Sequence, residues 1–450
     1  MTFRTRRRWS NFGHFLMAKF FLYLTIIVLI AGGILFLLRD GEKPKVALPA
    51  LEGRNMASPR PMTIQVSDQK SGIGKLEVKV LQNGQELSLL SKTYPDHPKK
   101  LEETLALNSD QLKEGEMTLR ITAKDNAAFW SNTGRLNRAL QFDRTPPVIS
   151  VQNQGQNLRQ GGSGLIVYSI SEEPLATGVM VGERIFPAYK QASGNYFCFF
   201  SFPFNVKRDE FRPLIFAEDQ AGNRSETDFG HRARAHVFRQ DRINISDRFL
   251  NLKMPQFRDS IPASVQTPLE TFLAVNRDVR QANAKKLEEF SRNTSSTPLW
   301  EGVFQRHPGK TMAIFGDHRT YFYQGQAIDQ QTHLGVDLAS VVQAEVKAAN
   351  AGKVVFAGTL GIYGNCIIID HGLGVQSIYS HLSRIDVKEG QSVERGTPIA
   401  RTGATGMAGG DHLHFGILVA GLPVDPVEWW DKSWMKENIT NKITDNDHSL

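Results

Sequence analysis

The sequence predicts a mainly β protein with an apolar helix near its start, a helical stretch in its middle and an antiparallel β module at its end. Three observations carry this. Residues 20–38 are an uncharged apolar run, FFLYLTIIVLIAGGILFLL. Residues 43–240 alternate short apolar, β-branched runs with Gly, Pro, Asn and Asp turn signals. Beyond residue 305, glycines punctuate further strand-like segments at short intervals.

The 450 residues allow about three domains. With 40% hydrophobic and 22% charged residues, the composition excludes a disordered chain. Two cysteines, Cys198 and Cys366, exclude a disulfide-dense scaffold and a cysteine-rich zinc finger. Both lie in apolar runs, YFCFF and NCIII, where buried free thiols are expected. The net charge is +7, but Arg4, Arg6, Arg7, Arg8 and Lys19 supply five of those charges within the first nineteen residues. The other 431 residues carry 48 Lys and Arg against 46 Asp and Glu, so no nucleic-acid partner is expected.

The charge pattern sets an expectation for the N-terminus. A helix over residues 20–38, rising ~1.5 Å per residue, nearly spans the ~30 Å bilayer core. Preceded by a basic tail at 1–19, it predicts a single-pass anchor in the inner membrane. The N-terminus would then be cytoplasmic and the bulk of the chain periplasmic. A cleaved signal peptide is the alternative, of twin-arginine type given Thr5-Arg6-Arg7. The run is longer than an h-region, however, and no Ala-x-Ala site follows promptly.

A weak repeat organises the next two hundred residues. Ile121-Thr-Ala-Lys-Asp125-Asn-Ala is echoed by Ile215-Phe-Ala-Glu-Asp219-Gln-Ala, and Pro44-Lys-Val46 by Pro146-Pro147-Val148. A period near 100 residues with many short strands has the size of an immunoglobulin-like sandwich. The strand, D-x-x-G-N turn and T-P-P-V boundary resemble bacterial Ig-like domains, which implies two of them, at 43–145 and 146–240, acting as spacers. Residues 241–305 read as a helical linker. There Thr267 is placed as N-cap, Pro268 as first helical residue and Glu270 as the capping-box partner. Leu269, Phe272, Leu273, Leu287 and Phe290 form its apolar stripe, which suits packing between domains better than ligand binding.

Chemistry concentrates at 306–432. Seven of the twelve histidines lie between residues 300 and 440. In DHLHFGILV, a strand would place His412 and His414 on one face with Leu413 behind. His333-Leu-Gly-Val-Asp337 offers an imidazole and a carboxylate, with Gly335 permitting a tight backbone. His381 in SIYSHLS supplies another imidazole at a strand end. Two His and one Asp would leave an open metal position, as in catalytic rather than structural zinc sites. No H-E-x-x-H, G-x-S-x-G or G-x-x-x-x-G-K-[ST] motif occurs. VKEGQSVERGTPIARTG lacks an acceptor lysine for a lipoyl-type hairpin. Residues 433–450 read as a C-terminal tail.

HLGVD, YSHLS and GGDHLHFG, with AANAGKVVFAG and GNCIIIDHG between them, resemble the lysostaphin/LytM-type zinc metallopeptidases over about residues 315–430. The resemblance implies one Zn²⁺ per chain on His333, Asp337 and His414, with His381 and His412 catalytic. It also places Tyr379 and Asn365 near the substrate groove. Gly416 departs from it, since many members carry Glu after the HLHF run. The family's substrates imply a membrane-anchored endopeptidase cutting cross-links or stems of peptidoglycan, with envelope proteins as regulators. The alternatives are a non-catalytic activator of another wall hydrolase, or an envelope scaffold or adhesin built on the Ig-like repeats.

Overall fold

The computed structural model describes residues 8–37, 40–127, 130–153 and 155–446, with side chains at 8–16, 31 and 34–37 left out. Arg4, Arg6 and Arg7 of the expected cytoplasmic tail lie outside the described residues. Arg8–Leu37 is a continuous helix. The anchor expectation over 20–38 is nevertheless corrected. Among the described residues, no helix is long and apolar enough to cross a membrane. The inner-membrane, single-pass localisation derived from it falls with it.

The chain divides into two compact units, one ending at Thr145 with Gln220–Asn223 added, the other holding Pro146–Asp219 and Arg224–Leu450. In the first, the order Met56–Ala57, Thr133–Phe142, Gly115–Asp125, Ile73–Gln82, Gln85–Thr93 makes a five-stranded sheet. Lys45–Ala47, Met62–Ser67 and Lys100–Leu105 make a three-stranded one. Period-two alternation turns Met62, Ile64 and Val66 inward from the small sheet and Met117, Leu119 and Ile121 from the large one, into a shared core. The Asn83-Gly84 hairpin, both residues at positive φ (51° and 76°), has the backbone that matches strand twist.

The second unit has one continuous main core. Tyr196–Ser201 is buried at all six positions, because side chains on both of its faces are covered. Phe199 packs on Trp300 and Trp429, each at 5.8 Å between ring centroids, joining the second β region to the C-terminal module. Cys198 and Cys366 are free and buried. In the middle segment, Gln240–Ile245 is a strand pairing in parallel with His318–Tyr323 rather than part of a helical linker. The capping box on Thr267 and Glu270 is present, and the helix it starts runs on through a π-turn at Val275–Val279 to Ser291. The expected tail also differs. Residues 432–446 are helical and insert Met435, Ile439 and Ile443 into the main core. Residues 447–450 lie outside the described residues.

Candidate metal centre

The central strand of the C-terminal sheet, Leu413–Val419, positions the site. It pairs antiparallel with Val336–Ala339 on one side, where Asp337 stands directly opposite His414. On the other side it pairs with Val375–Ser380, placing Ser380 opposite His414. The two-residue period sends His412 and His414 to one face, while Leu413 is wholly buried on the other. His333 precedes the Asp337 strand and is held by backbone bonds in both directions with Asp317 and Gly316.

Three donor atoms converge. His333 Nε2 lies 2.9 Å from Asp337 Oδ1 and 3.0 Å from His414 Nδ1, and His414 Nδ1 lies 2.9 Å from Asp337 Oδ1. His333 Nδ1 is 2.9 Å from the Ile314 carbonyl, which can only accept, so that nitrogen carries the proton and Nε2 offers a lone pair inward. Burial disfavours the charged form of Asp337. The imidazoles of His333, His412 and His414 beside it outweigh that and hold its carboxyl well below the usual range. Burial pushes His414 down to about 4, so its ring is neutral near pH 7.

The other two imidazoles flank this cluster. His381 sits just after its strand at φ 63°, a left-handed conformation that swings the ring out of the strand alternation. Its backbone N–H donates to Tyr363 O, and its Nδ1 donates to Thr405 O at 2.9 Å. Its ring centroid is 4.9 Å from that of His412 and 5.7 Å from that of His414. His412 Nδ1 bonds Gly410 O at 2.9 Å, and Nε2 stands 3.5 Å from Asp337 Oδ1. All five residues line one cavity of about 470 Å³.

The donor set fits a zinc ion. Ligand atoms at ~2.0–2.1 Å around a tetrahedral ion stand about 3.3 Å apart, and only a slight spreading of the three atoms is needed. Two lone-pair nitrogens and a carboxylate oxygen in van der Waals contact repel unless a cation lies among them. Gly335 also proves necessary, because a Cβ there would come within 2.6 Å of the His414 ring.

Residues 331–426 match the family described as Peptidase family M23. They form an M23 domain. All five histidine and aspartate residues fall within it. The chain is 33% identical over 159 residues to the peptidoglycan DD-endopeptidase ShyB of Vibrio cholerae, covering 33% of this chain and 37% of that protein. It is 40% identical over 95 residues to the DD-carboxypeptidase/endopeptidase Mpg of Neisseria meningitidis, covering 21% and 22%. A lipoprotein NlpD/LppB homolog of Pseudomonas aeruginosa is 43% identical over 96 residues, covering 21% of this chain and 32% of that one. Each match thus spans well under half of the relative. Among solved structures, the catalytic domain of lysostaphin from Staphylococcus simulans aligns at 27% identity and TM-score 0.21, over 32% of this chain and 96% of that one. A zinc-containing peptidase from Vibrio cholerae aligns at 14% and 0.26, over 82% and 85%.

Two residues expected near the groove do not line the cavity of the M23 domain. Tyr379 is 1% exposed; its hydroxyl oxygen accepts from Ala349 N at 2.7 Å and from Ser377 Oγ at 3.0 Å. Strand alternation turns it to the core. Asn365 braces the turn behind His381, its O accepting from Leu382 N and its Oδ1 from Thr359 Oγ1. Gly416 is packed shut, since a Cβ there would sit 2.9 Å from Ile378 Cγ2. Conversely, Arg319, Arg280, Tyr363, Phe249 and Phe272 line the cavity without any spacing signal, because they come from separate elements. The apolar stripe expected only to pack thus contributes Phe272 to the cavity wall.

Proposed function

We propose that the chain is a zinc metalloendopeptidase hydrolysing peptide cross-links or stems of peptidoglycan. The convergence of His333 Nε2, Asp337 Oδ1 and His414 Nδ1 within 3.0 Å of one another carries this reading. The name of the ShyB relative supports the substrate class, and that of Mpg the peptidase class. His333, Asp337 and His414 would hold the metal, which when bound supplies Lewis acidity and lowers the pKa of a bound water. Asp337 contributes the negative charge, and the two imidazoles contribute lone pairs. His381 and His412 each have Nδ1 tied to a backbone carbonyl, so each keeps Nε2 as the proton-handling atom, that of His412 beside Asp337 Oδ1. Between them they take a proton from the attacking water and return one to the leaving amine. Arg319, at the edge of the cavity, supplies a fixed positive charge.

The test is to incubate the full chain with purified cell-wall peptides, before and after chelation and zinc replacement, and to identify products by mass spectrometry. Cleavage of an amide bond that chelation abolishes and zinc restores is expected. No cleavage at any zinc level overturns the enzyme reading in favour of a non-catalytic activator of another hydrolase.

A further inference from the structure

The first β unit holds a second carboxylate cluster, remote in sequence from the M23 domain and unused by its chemistry. Asp40 precedes the first strand of the unit, Asp68 follows Met62–Ser67, and Asp125 ends Gly115–Asp125. One carboxylate oxygen of each lies within 4.8 Å of one from each of the others. Asp68 is 3% exposed and Asp125 4%. The donors to these carboxylates are neutral. Asp40 accepts from Ser71 N, Ser71 Oγ and Glu42 N. Asp68 Oδ1 accepts from Lys70 N and Gly72 N. Asp125 accepts from Ala127 N, Asn132 N and Asn132 Nδ2. Among the described residues no Lys or Arg forms an ion pair with the three, and Lys70 pairs with Glu42 instead.

Asp68 Oδ2 is the independent observation. It is buried and has no hydrogen-bond partner. An unpartnered oxygen on a buried carboxylate, beside two further carboxylates, is disfavoured by desolvation and repulsion unless a cation compensates. The donor set is oxygen only, which selects a hard cation over zinc. Ca²⁺ accepts oxygens at ~2.3–2.6 Å in flexible geometry, whereas Mg²⁺ demands near-ideal octahedral geometry at ~2.0–2.1 Å.

We propose that Asp40, Asp68 and Asp125 bind one Ca²⁺ ion, which ties the segment entering the first β unit to the ends of two of its strands. Backbone carbonyls and water would complete the shell. The site is independent of the zinc reading, since no residue is shared.

The experiment titrates Ca²⁺, and separately Mg²⁺, into the chelator-treated, zinc-reloaded full chain by calorimetry, alongside Asp68→Asn and His414→Ala. A saturable Ca²⁺ component is expected that survives His414→Ala and weakens at least about tenfold in Asp68→Asn. Ca²⁺ should raise the unfolding temperature of the unaltered chain and not of Asp68→Asn. Asp40→Asn, at a half-buried position, gives the same readout should Asp68→Asn fail to fold. Absence of saturable binding below about 10 mM Ca²⁺ overturns the proposal. So does binding unchanged by the Asp substitutions, or binding lost only in His414→Ala. Mg²⁺ binding as tight as Ca²⁺ overturns the assignment to calcium.

Discussion

Arg319 Nη2 lies 3.2 Å from Asp337 Oδ2, while the other oxygen of the same carboxylate faces His333 and His414. One carboxylate is therefore held from behind by a guanidinium and turned with Oδ1 toward the two imidazoles. Groups that orient a metal ligand in this way commonly change metal affinity by about 10–100-fold when removed. Arg319→Met should weaken zinc binding by that factor, with Arg319→Lys intermediate, in a competition titration against a chromogenic chelator. Unchanged affinity in Arg319→Met would show that the Asp337 strand alone fixes the carboxylate.

His414 and His381 should separate metal binding from proton handling. In His414→Ala, metal analysis should find zinc lost and hydrolysis lost with it. In His381→Ala, zinc should stay bound while turnover falls by about 10²–10⁴-fold. A His381→Ala protein that also loses its zinc would instead make His381 a ligand.

Gly335→Ala adds one carbon where 2.6 Å separates it from the His414 ring. The backbone there is not left-handed, so the effect should arise from displacement of that ring and of Phe415 O, 2.7 Å from the added carbon. We expect weaker zinc binding together with a loss of stability, read by metal competition and thermal circular dichroism together. Zinc affinity equal to that of the unaltered protein would mean the ring can move aside freely.

Tyr379→Phe tests the correction to the groove. It leaves the buried Ala349 N–H without its 2.7 Å acceptor, which should cost about 1–3 kcal/mol of stability. kcat/KM for wall peptides should not change, because the hydroxyl is in the core. A large rise in KM with stability intact would return Tyr379 to the groove.

His371 should make the protein acid-sensitive. It is wholly buried, with Nδ1 donating to Ala351 O and Nε2 against Ser377 Oγ, both at 2.7 Å, and burial pushes it down to about 4. The unfolded chain, with His near 6.5, binds more protons than the folded one between those values. Stability from this group is therefore present above pH ~6.5 and lost as pH falls toward ~4, to a limit of about 3 kcal/mol. Thermal melts across that range should show the loss, and His371→Gln should flatten it. An NMR titration placing His371 above 6 would defeat this account.

The helix start at Thr267 and the shared face of His412 and His414 were legible because both depend on local geometry. A capping box spans four residues, and a strand alternates every two. The seating of Tyr379 and His381 was not legible. Both belong to one YSH segment, yet the first turns inward by alternation and the second escapes it through a left-handed backbone, held by Tyr363 and Thr405 from elsewhere. The N-terminal run shows the converse. Nineteen uncharged residues suggest a span, yet among the described residues no helix is long and apolar enough to cross a membrane.

By itself, then, the sequence determined the β character of the chain, its partition of charge and the identity of five residues that line one cavity. Periodicity and motif spacing act over a few residues and survive in one dimension. Only the tertiary structure decided which atoms meet: Arg319 behind Asp337, Phe272 in the cavity wall, Asp40 beside Asp68 and Asp125. Those meetings join elements distant along the chain, and sheet pairing and core packing, which bring them together, leave no local mark in the sequence.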